Sequence, residues 1–154
     1  MAFASAYLDG LKMLARRELS EAQVRQRLAR RGHEPESIDA AVERLKNERA
    51  IDDVRAAEAI ARIETTIKRR GRLRVRRRIE HAGIAPPTAR SVVDEAFSAI
   101  DDQALIETAL AKRLRDRTRI ADDREFQKLY RYLIAQGFDA DSVMRTLTAH
   151  RRQP

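Results

Sequence analysis

Apolar residues recur at a helical spacing around three glycines of the chain, Gly32, Gly83 and Gly137. In each case apolar residues stand eight and four positions before the glycine, and six and ten positions after it. The residues at these positions are Val24, Leu28, Ile38 and Val42 in the first stretch, Val75, Ile79, Ala89 and Val93 in the second, and Leu129, Leu133, Val143 and Leu147 in the third. Nearly equal lengths of chain separate the three glycines, which is typical of a tandem repeat.

Each repeat is predicted to form a helix, a turn that ends on the glycine, and a second helix. Apolar residues four positions apart lie on one face of an α-helix. Glycine adopts the left-handed conformation at little steric cost, so the three glycines are predicted to be helix C-caps with positive φ. The second helices are expected to begin near Pro35, Pro86–Pro87 and Asp139.

A further amphipathic helix is predicted before each pair. Its apolar positions are Tyr7, Leu11 and Leu14 in the first repeat, Ala56, Ile60, Ile63 and Ile67 in the second, and Ile106, Leu110 and Leu114 in the third. No segment alternates with a period of two for long enough to predict a strand. The sequence therefore predicts an all-α fold of nine helices, without a sheet, in an elongated, curved array of three three-helix repeats at residues 1–50, 51–100 and 101–154. Leu28, Ile79 and Leu133 are expected to be buried.

Charge is concentrated in one segment of the chain. The 154 residues carry 32 basic and 24 acidic side chains, a net charge of +8. Residues 68–81 (KRRGRLRVRRRIEH) hold eight basic residues and one acid, or +7, which leaves +1 for the whole of the remaining chain. A solvated helix face usually mixes both signs, so this segment predicts a polyanionic partner.

We expect the cations of this segment to form an exposed ridge. They are Lys68, Arg69, Arg70, Arg72, Arg74, Arg76, Arg77 and Arg78. At about 100° per residue, Arg74 and Arg77 are predicted to point away from the apolar stripe. Guanidinium groups suit both phosphates and carboxylates, so single- or double-stranded DNA and an acidic protein groove remain alternatives. No aromatic residue lies in the segment, so contact with DNA should involve the backbone and depend on salt.

Other chemistry finds little support in the sequence. The chain has no cysteine, and its three histidines, His33, His81 and His150, are far apart. The acid pairs Asp52–Asp53, Asp101–Asp102 and Asp122–Asp123 stand at predicted helix starts, where carboxylates cap free N–H groups. We therefore expect no catalytic, cofactor or metal site. No apolar run reaches the ~18–20 residues of a membrane span, and no signal peptide is evident, so we expect a cytoplasmic protein. We also expect it to be a monomer.

Three runs of residues resemble the RecX family, whose members modulate the RecA recombinase. The runs are LKMLARRELSEAQVRQRLARRG, then IDD, then RRGRLRVRRRIEHAGI, and the likeness extends over about residues 6–150. Positions that fit the family pattern are Leu14, Arg17, Ser20, Leu28, Gly32, Asp53, Gly71, Arg78 and Gly83. Ala56 departs from it, because the family more often has an aromatic residue there.

The resemblance implies an elongated helical protein that binds the groove of the RecA filament and usually inhibits RecA; many members also bind DNA. The expected function is therefore a non-enzymatic regulator of the RecA–DNA filament. The alternative is a general DNA-binding protein of helix-turn-helix type that acts through DNA alone. A recognition helix should expose basic or amide side chains, whereas the second helix of the first pair carries Glu36, Asp39 and Glu43.

Overall fold

The computed structural model describes residues 2–152, and within them the secondary structure is helical. The nine α-helices of this part of the chain are α1 (Ala2–Arg16), α2 (Glu21–Arg30), α3 (Pro35–Asn47), α4 (Asp53–Arg62), α5 (Arg72–His81), α6 (Pro86–Phe97), α7 (Asp102–Leu114), α8 (Asp123–Ala135) and α9 (Ala140–Arg152). A π-helical segment (Ile63–Ile67) continues α4. No strand occurs among the described residues, and the predicted all-α fold is confirmed.

The helix ends form as the local sequence predicts. Gly32, Gly83 and Gly137 have φ values of 89°, 83° and 99°, so the predicted left-handed caps are confirmed. Ser20 and Gln23 form a complete capping box at the start of α2. Asp52, Asp101 and Asp122 each accept backbone N–H groups of the helix that follows, which confirms that these acids act as caps.

The chain forms two compact units. Unit 1 comprises Met1–Ala61 and Arg78–Val92, and unit 2 comprises Arg62–Arg77 and Val93–Pro154. Every boundary between the two units falls inside the second predicted repeat. The division into three repeats at residues 50/51 and 100/101 remains a prediction.

Unit 1 has its core between the first three helices. Val24 and Leu28 of α2 are fully buried, together with Val42 and Leu45 of α3. On α1 the buried positions are Ala6, Gly10 and Met13, and the predicted stripe of Tyr7, Leu11 and Leu14 is half-buried at the edge of the same core. A Cβ on Gly10 would come within 2.7 Å of Leu45 Cδ1, so α1 and α3 pack closely there.

Unit 2 has a separate core between α7, α8 and α9. The buried residues include the three predicted on α7 and the four predicted around Gly137; all of them are Ile106, Leu110, Leu114, Ile120, Phe126, Leu129, Leu133, Phe138, Val143 and Leu147. In unit 1, Leu28 and Ile79 have no exposed surface, and in unit 2 the same is true of Leu133. The predicted burial of these three residues is confirmed.

The predicted apolar stripe of the fourth helix is wrong at its C-terminal end. Ile63 and Ile67 are 47% and 74% exposed, whereas Glu64 is buried. The cause is the π-helical segment, in which the Lys68 N–H donates to the Ile63 carbonyl at 3.1 Å, one position further back than in an α-helix. The extra residue in this turn shifts the helix face, so the α-helical period no longer selects the buried positions.

A helix start docks on a glycine turn in each unit. In unit 1 the Ser20 hydroxyl donates to the Ala82 carbonyl at 2.5 Å, just before Gly83. In unit 2 the Gly71 N–H donates to the Gln136 carbonyl at 2.8 Å, just before Gly137. Ser20 and Gly71 stand equally far before the glycine of their own repeat, so the two contacts join equivalent positions.

We expect Leu28→Ala and Leu133→Ala each to lower the free energy of unfolding by roughly 2–5 kcal/mol, through lost burial and the cavity left behind. Urea unfolding followed by far-UV circular dichroism measures this change. A loss below about 1 kcal/mol at both positions would contradict the assignment of these leucines to two packed cores.

Alanine at the glycine turns should separate backbone strain from docking. A Cβ at Gly32 meets no described atom within 4 Å, so Gly32→Ala should cost only the left-handed strain of about 1–2 kcal/mol. A Cβ at Gly137 would lie 2.5 Å from the Arg74 backbone nitrogen. Gly137→Ala should therefore cost about 1–3 kcal/mol more than Gly32→Ala, through overpacking. Equal losses in urea unfolding would show that the docking is not tight.

Candidate polyanion-binding site

The basic segment 68–81 runs from the end of the π-helical segment into α5. Arg69 has a positive φ of 52°, and α5 begins at Arg72. Val75 and Ile79 are buried along one side of α5, as the apolar spacing predicts. The packing of α5 therefore determines which arginines of the segment lie against the protein and which face the solvent.

Two cations of the segment surround a buried carboxylate. Glu64 is 3% exposed, and Lys68 Nζ lies 3.2 Å from its Oε1. Arg70 Nη1 lies 3.7 Å from Glu64 Oε2, beyond hydrogen-bond range, and the Arg70 N–H donates to the Glu64 carbonyl. A buried charge needs a partner, so Lys68 and Arg70 serve first to neutralise Glu64.

Arg72 and Arg74 are also held by acceptors of this chain. Arg72 lies 3.0 Å from Asp94 and 3.9 Å from Asp102, and its guanidinium stands 5.1 Å from the ring centre of Phe97. Arg74 donates to the Ala135 carbonyl at 3.0 Å. Both side chains are half-buried, because the start of α5 docks on the turn at Gly137.

The prediction of one fully exposed ridge is therefore wrong for Arg70, Arg72 and Arg74. Arg74 and Arg77 are both predicted to point away from the apolar stripe of α5, but Arg74 is bonded to the Ala135 carbonyl and only Arg77 is exposed. The other five members differ. Lys68 is exposed but paired with Glu64, and Arg76 is half-buried and interacts within the protein. Arg69, Arg77 and Arg78 are exposed and have no acid or carbonyl partner in the described chain.

The exposed arginines suit phosphates or carboxylates in an external partner. A guanidinium can donate two parallel hydrogen bonds to either group. No aromatic residue lies in the segment, and Phe97 is buried beneath Arg72, so a surface for base stacking is absent from this part of the described chain. The arrangement is suited to contacting charge rather than to reading bases.

The histidines lie apart, each among its own neighbours. His33 contacts Asp9 at 2.6 Å, His150 contacts Glu107 and the Thr118 carbonyl, and His81 is exposed. Within residues 2–152, no three histidine, aspartate or glutamate side chains come together in a way that could hold a metal ion. None of the described helices combines the length and hydrophobicity needed to cross a bilayer.

A second basic surface, which the linear charge pattern did not reveal, lies in unit 1. Lys12 and Arg16 of α1 face a groove together with Arg27 and Arg30 of α2. These cations come from two helices, and acidic residues separate the two groups in the sequence. The net charge of this stretch of sequence is therefore smaller than the charge that the groove brings together. The spacing of three or four positions within each helix was the available signal.

Comparison with known proteins gives a consistent result. The family model for the first three-helix domain of RecX matches residues 6–45. The chain is 32% identical to the regulatory protein RecX of Chromohalobacter salexigens over 139 residues, which cover 90% of this chain and 88% of that protein. It is also 32% identical to the regulatory protein RecX of Halorhodospira halophila, over 90% of this chain and 84% of that protein.

Solved structures show the same fold. The crystal structure of RecX from Lactobacillus salivarius superposes with a TM-score of 0.75 at 18% identity, covering 96% of both chains. A second crystal structure, of a regulatory protein RecX, gives a TM-score of 0.74 at 22% identity and covers 96% of this chain and 72% of the other.

Stability should distinguish the arginines that hold the fold from those that are available to a partner. Arg72→Ala removes two ion pairs and the contact with Phe97, and because the side chain is 42% exposed we expect a loss of only about 1 kcal/mol. Arg77→Ala removes no ion pair or hydrogen bond among the described residues and should change the free energy of unfolding by less than about 0.5 kcal/mol. Thermal or urea unfolding of both variants measures the difference, and a larger loss for Arg77→Ala would reverse the assignment.

Proposed function

The chain belongs to the RecX family of regulatory proteins, and from this premise we propose that it binds the RecA–DNA filament and inhibits the recombinase. The observation that carries the proposal is the match to RecX regulatory proteins over nine-tenths of the chain. The proposed activity is binding without catalysis. Because such a filament assembles on DNA, we propose that the protein acts in the cytoplasm. We also propose that it binds as a monomer.

The exposed arginines of the basic segment supply a contact for such a filament. Arg69, Arg77 and Arg78 have no internal partner in the described chain and project from a segment fixed by its other cations. Like charges that repel each other in the unbound protein gain a favourable interaction when a polyanion approaches. The filament offers both DNA phosphates and protein carboxylates, and a guanidinium can bind either of them.

The alternative is a DNA-binding protein that acts by occupying DNA. The helix pairs α2–α3 and α5–α6 give this hypothesis its support, since each joins two helices through a short glycine turn. The second helix of each pair exposes acids, however: Glu36, Asp39 and Glu43 on α3, and Asp94 and Glu95 on α6. Acidic side chains are poorly suited to the phosphate-lined major groove.

We expect the protein to lower the rate of ATP hydrolysis by RecA on single-stranded DNA. If it binds the filament, inhibition should occur at amounts far below those that cover the DNA. Measurement of the hydrolysis rate against protein concentration, at two DNA concentrations, tests this expectation. Inhibition that scales with free DNA would favour the alternative, and an unchanged rate with saturating protein would refute the proposed function.

The triple variant Arg69→Gln, Arg77→Gln, Arg78→Gln tests the contact surface in the same assay. It should need several times more protein for half-maximal inhibition, because three charge-assisted contacts are removed. The matched control replaces Arg119, Arg124 and Arg131, which are also exposed and without an internal partner in the described chain. Equal loss in both variants would show that net charge, rather than this surface, is responsible.

A further inference from the structure

A groove in unit 1 is lined almost entirely by cations. It lies between the C-terminal half of α1 and the C-terminal half of α2. Its charged lining residues are Lys12, Arg16, Arg17, Arg27, Arg30 and Arg31. The other two lining residues are apolar, Met13 and Ala15, and no acidic side chain is among the lining residues that the structure describes.

The acids nearest in sequence are committed to other partners. Glu18 accepts from Arg55 at 2.6 Å, and Glu21 contacts Arg25 and Lys46 at 3.0 Å each. Neither carboxylate neutralises the groove, although both lie within the stretch that forms it. The positive charge of the lining is therefore greater than the sequence around it indicates.

Asp9 partly neutralises one end of the groove. It lies 3.2 Å from Arg31 and 2.6 Å from His33. The hydrogen bond with His33, assisted by the charges of Arg31 and Lys12, lowers the pKa of Asp9, so this carboxylate stays ionised beside those two cations. The other four, Arg16, Arg17, Arg27 and Arg30, have no acid or carbonyl partner among the described residues.

Helix ends account for only part of this clustering. α1 ends at Arg16 and α2 at Arg30, and a cation is favourable near the negative end of a helix dipole. One cation at each end would satisfy that preference. The groove is lined by six cations, and their mutual repulsion destabilises the unbound protein.

We propose that this groove binds the phosphodiester backbone of a nucleic acid, without regard to base sequence. Nucleic-acid interfaces are far more positively charged than protein interfaces. Protein interfaces are depleted of charge at their centre and are anchored by large apolar or aromatic side chains. Here Met13 is 7% exposed and no aromatic residue is among the described residues that line the groove, so an acidic peptide would find charge but no anchor. The same lack of aromatic residues leaves no surface on which bases could stack.

This inference does not rest on the proposed function, because it concerns DNA in the absence of any recombinase. The test is the affinity of the full chain for a fluorescent oligonucleotide, measured by anisotropy over a range of salt concentrations. The variant carries Arg16→Gln, Arg17→Gln and Arg30→Gln, three exposed residues of the groove without internal partners in the described chain. Circular dichroism and the melting temperature establish that the variant is folded.

We expect the variant to bind DNA on the order of 100-fold more weakly near 0.1 M salt, and the slope of log affinity against log salt to fall by about 3. Two oligonucleotides of different sequence should lose affinity equally. The control variant, with Arg119, Arg124 and Arg131 changed to Gln, has the same net charge and should keep most of the slope.

Two results would overturn the proposal. One is a folded groove variant whose affinity and salt slope match those of the control. The other concerns a poly-glutamate peptide of the same charge as the oligonucleotide. If this peptide competes for the unaltered chain as well as unlabelled DNA does, and no longer binds the groove variant, the partner would be an acidic protein. The two proposals can fail separately. If the groove variant loses DNA affinity as expected, but the unaltered chain does not change ATP hydrolysis by RecA, this proposal stands and only the proposed function is refuted.

Discussion

Each unit depends on the same contact, the docking of a helix start on a glycine turn that lies further along the chain. Ser20 donates to the carbonyl just before Gly83, and Gly71 donates to the carbonyl just before Gly137. The donor is a hydroxyl in one case and a backbone N–H in the other. Both contacts use a glycine, whose missing side chain lets the helix start approach the turn closely. A Cβ on Gly83 would lie 2.4 Å from Ala22 Cβ, and a Cβ on Gly137 would lie 2.4 Å from Arg74 Cβ.

The basic segment shows that a run of like charge can serve two purposes at once. Lys68 and Arg70 compensate a carboxylate that the π-helical segment turns inward, and Arg72 joins Asp94 and Asp102 of the two following helices. These contacts fix the backbone from which Arg69 and Arg77 project. The arginines that hold the segment in place thus determine where the exposed ones would meet the proposed partner.

Local signals predicted most of the helical framework. Gly137 indicated a left-handed turn, and Ser20 with Gln23 indicated a helix start. Both signals can be recognised from the sequence because the hydrogen bonds involved join residues only a few positions apart. The π-helical segment could not be predicted in this way. Its burial of Glu64 depends on Lys68 and Arg70, so a hydrophobic pattern that assumes an unbroken α-helical period assigns the inward face to Ile63 and Ile67 instead.

The proposed binding surfaces were less predictable than the fold because exposure and pairing are properties of the packed structure. The sequence identified the basic segment, but not that Arg74 would be held at the Ala135 carbonyl. The groove of unit 1 was missed for the opposite reason. Its cations are interrupted in the sequence by Glu18 and Glu21, and only the packed structure shows that both acids turn to other partners.

In each unit the docking has a direction, because a helix start meets a glycine turn that lies further along the chain. The turn of Gly32 differs from the other two glycine turns, because no described atom lies within 4 Å of the place that a Cβ would occupy. Glu125 stands as far before Gly137 as Ser20 stands before Gly32 and Gly71 before Gly83. Its carboxylate accepts from Arg117 at 2.6 and 3.0 Å and from the Ala121 N–H at 2.8 Å. A carboxylate bonded in this way would have to give up these hydrogen bonds before a glycine turn of a second copy could dock beside it, so such docking would be unfavourable.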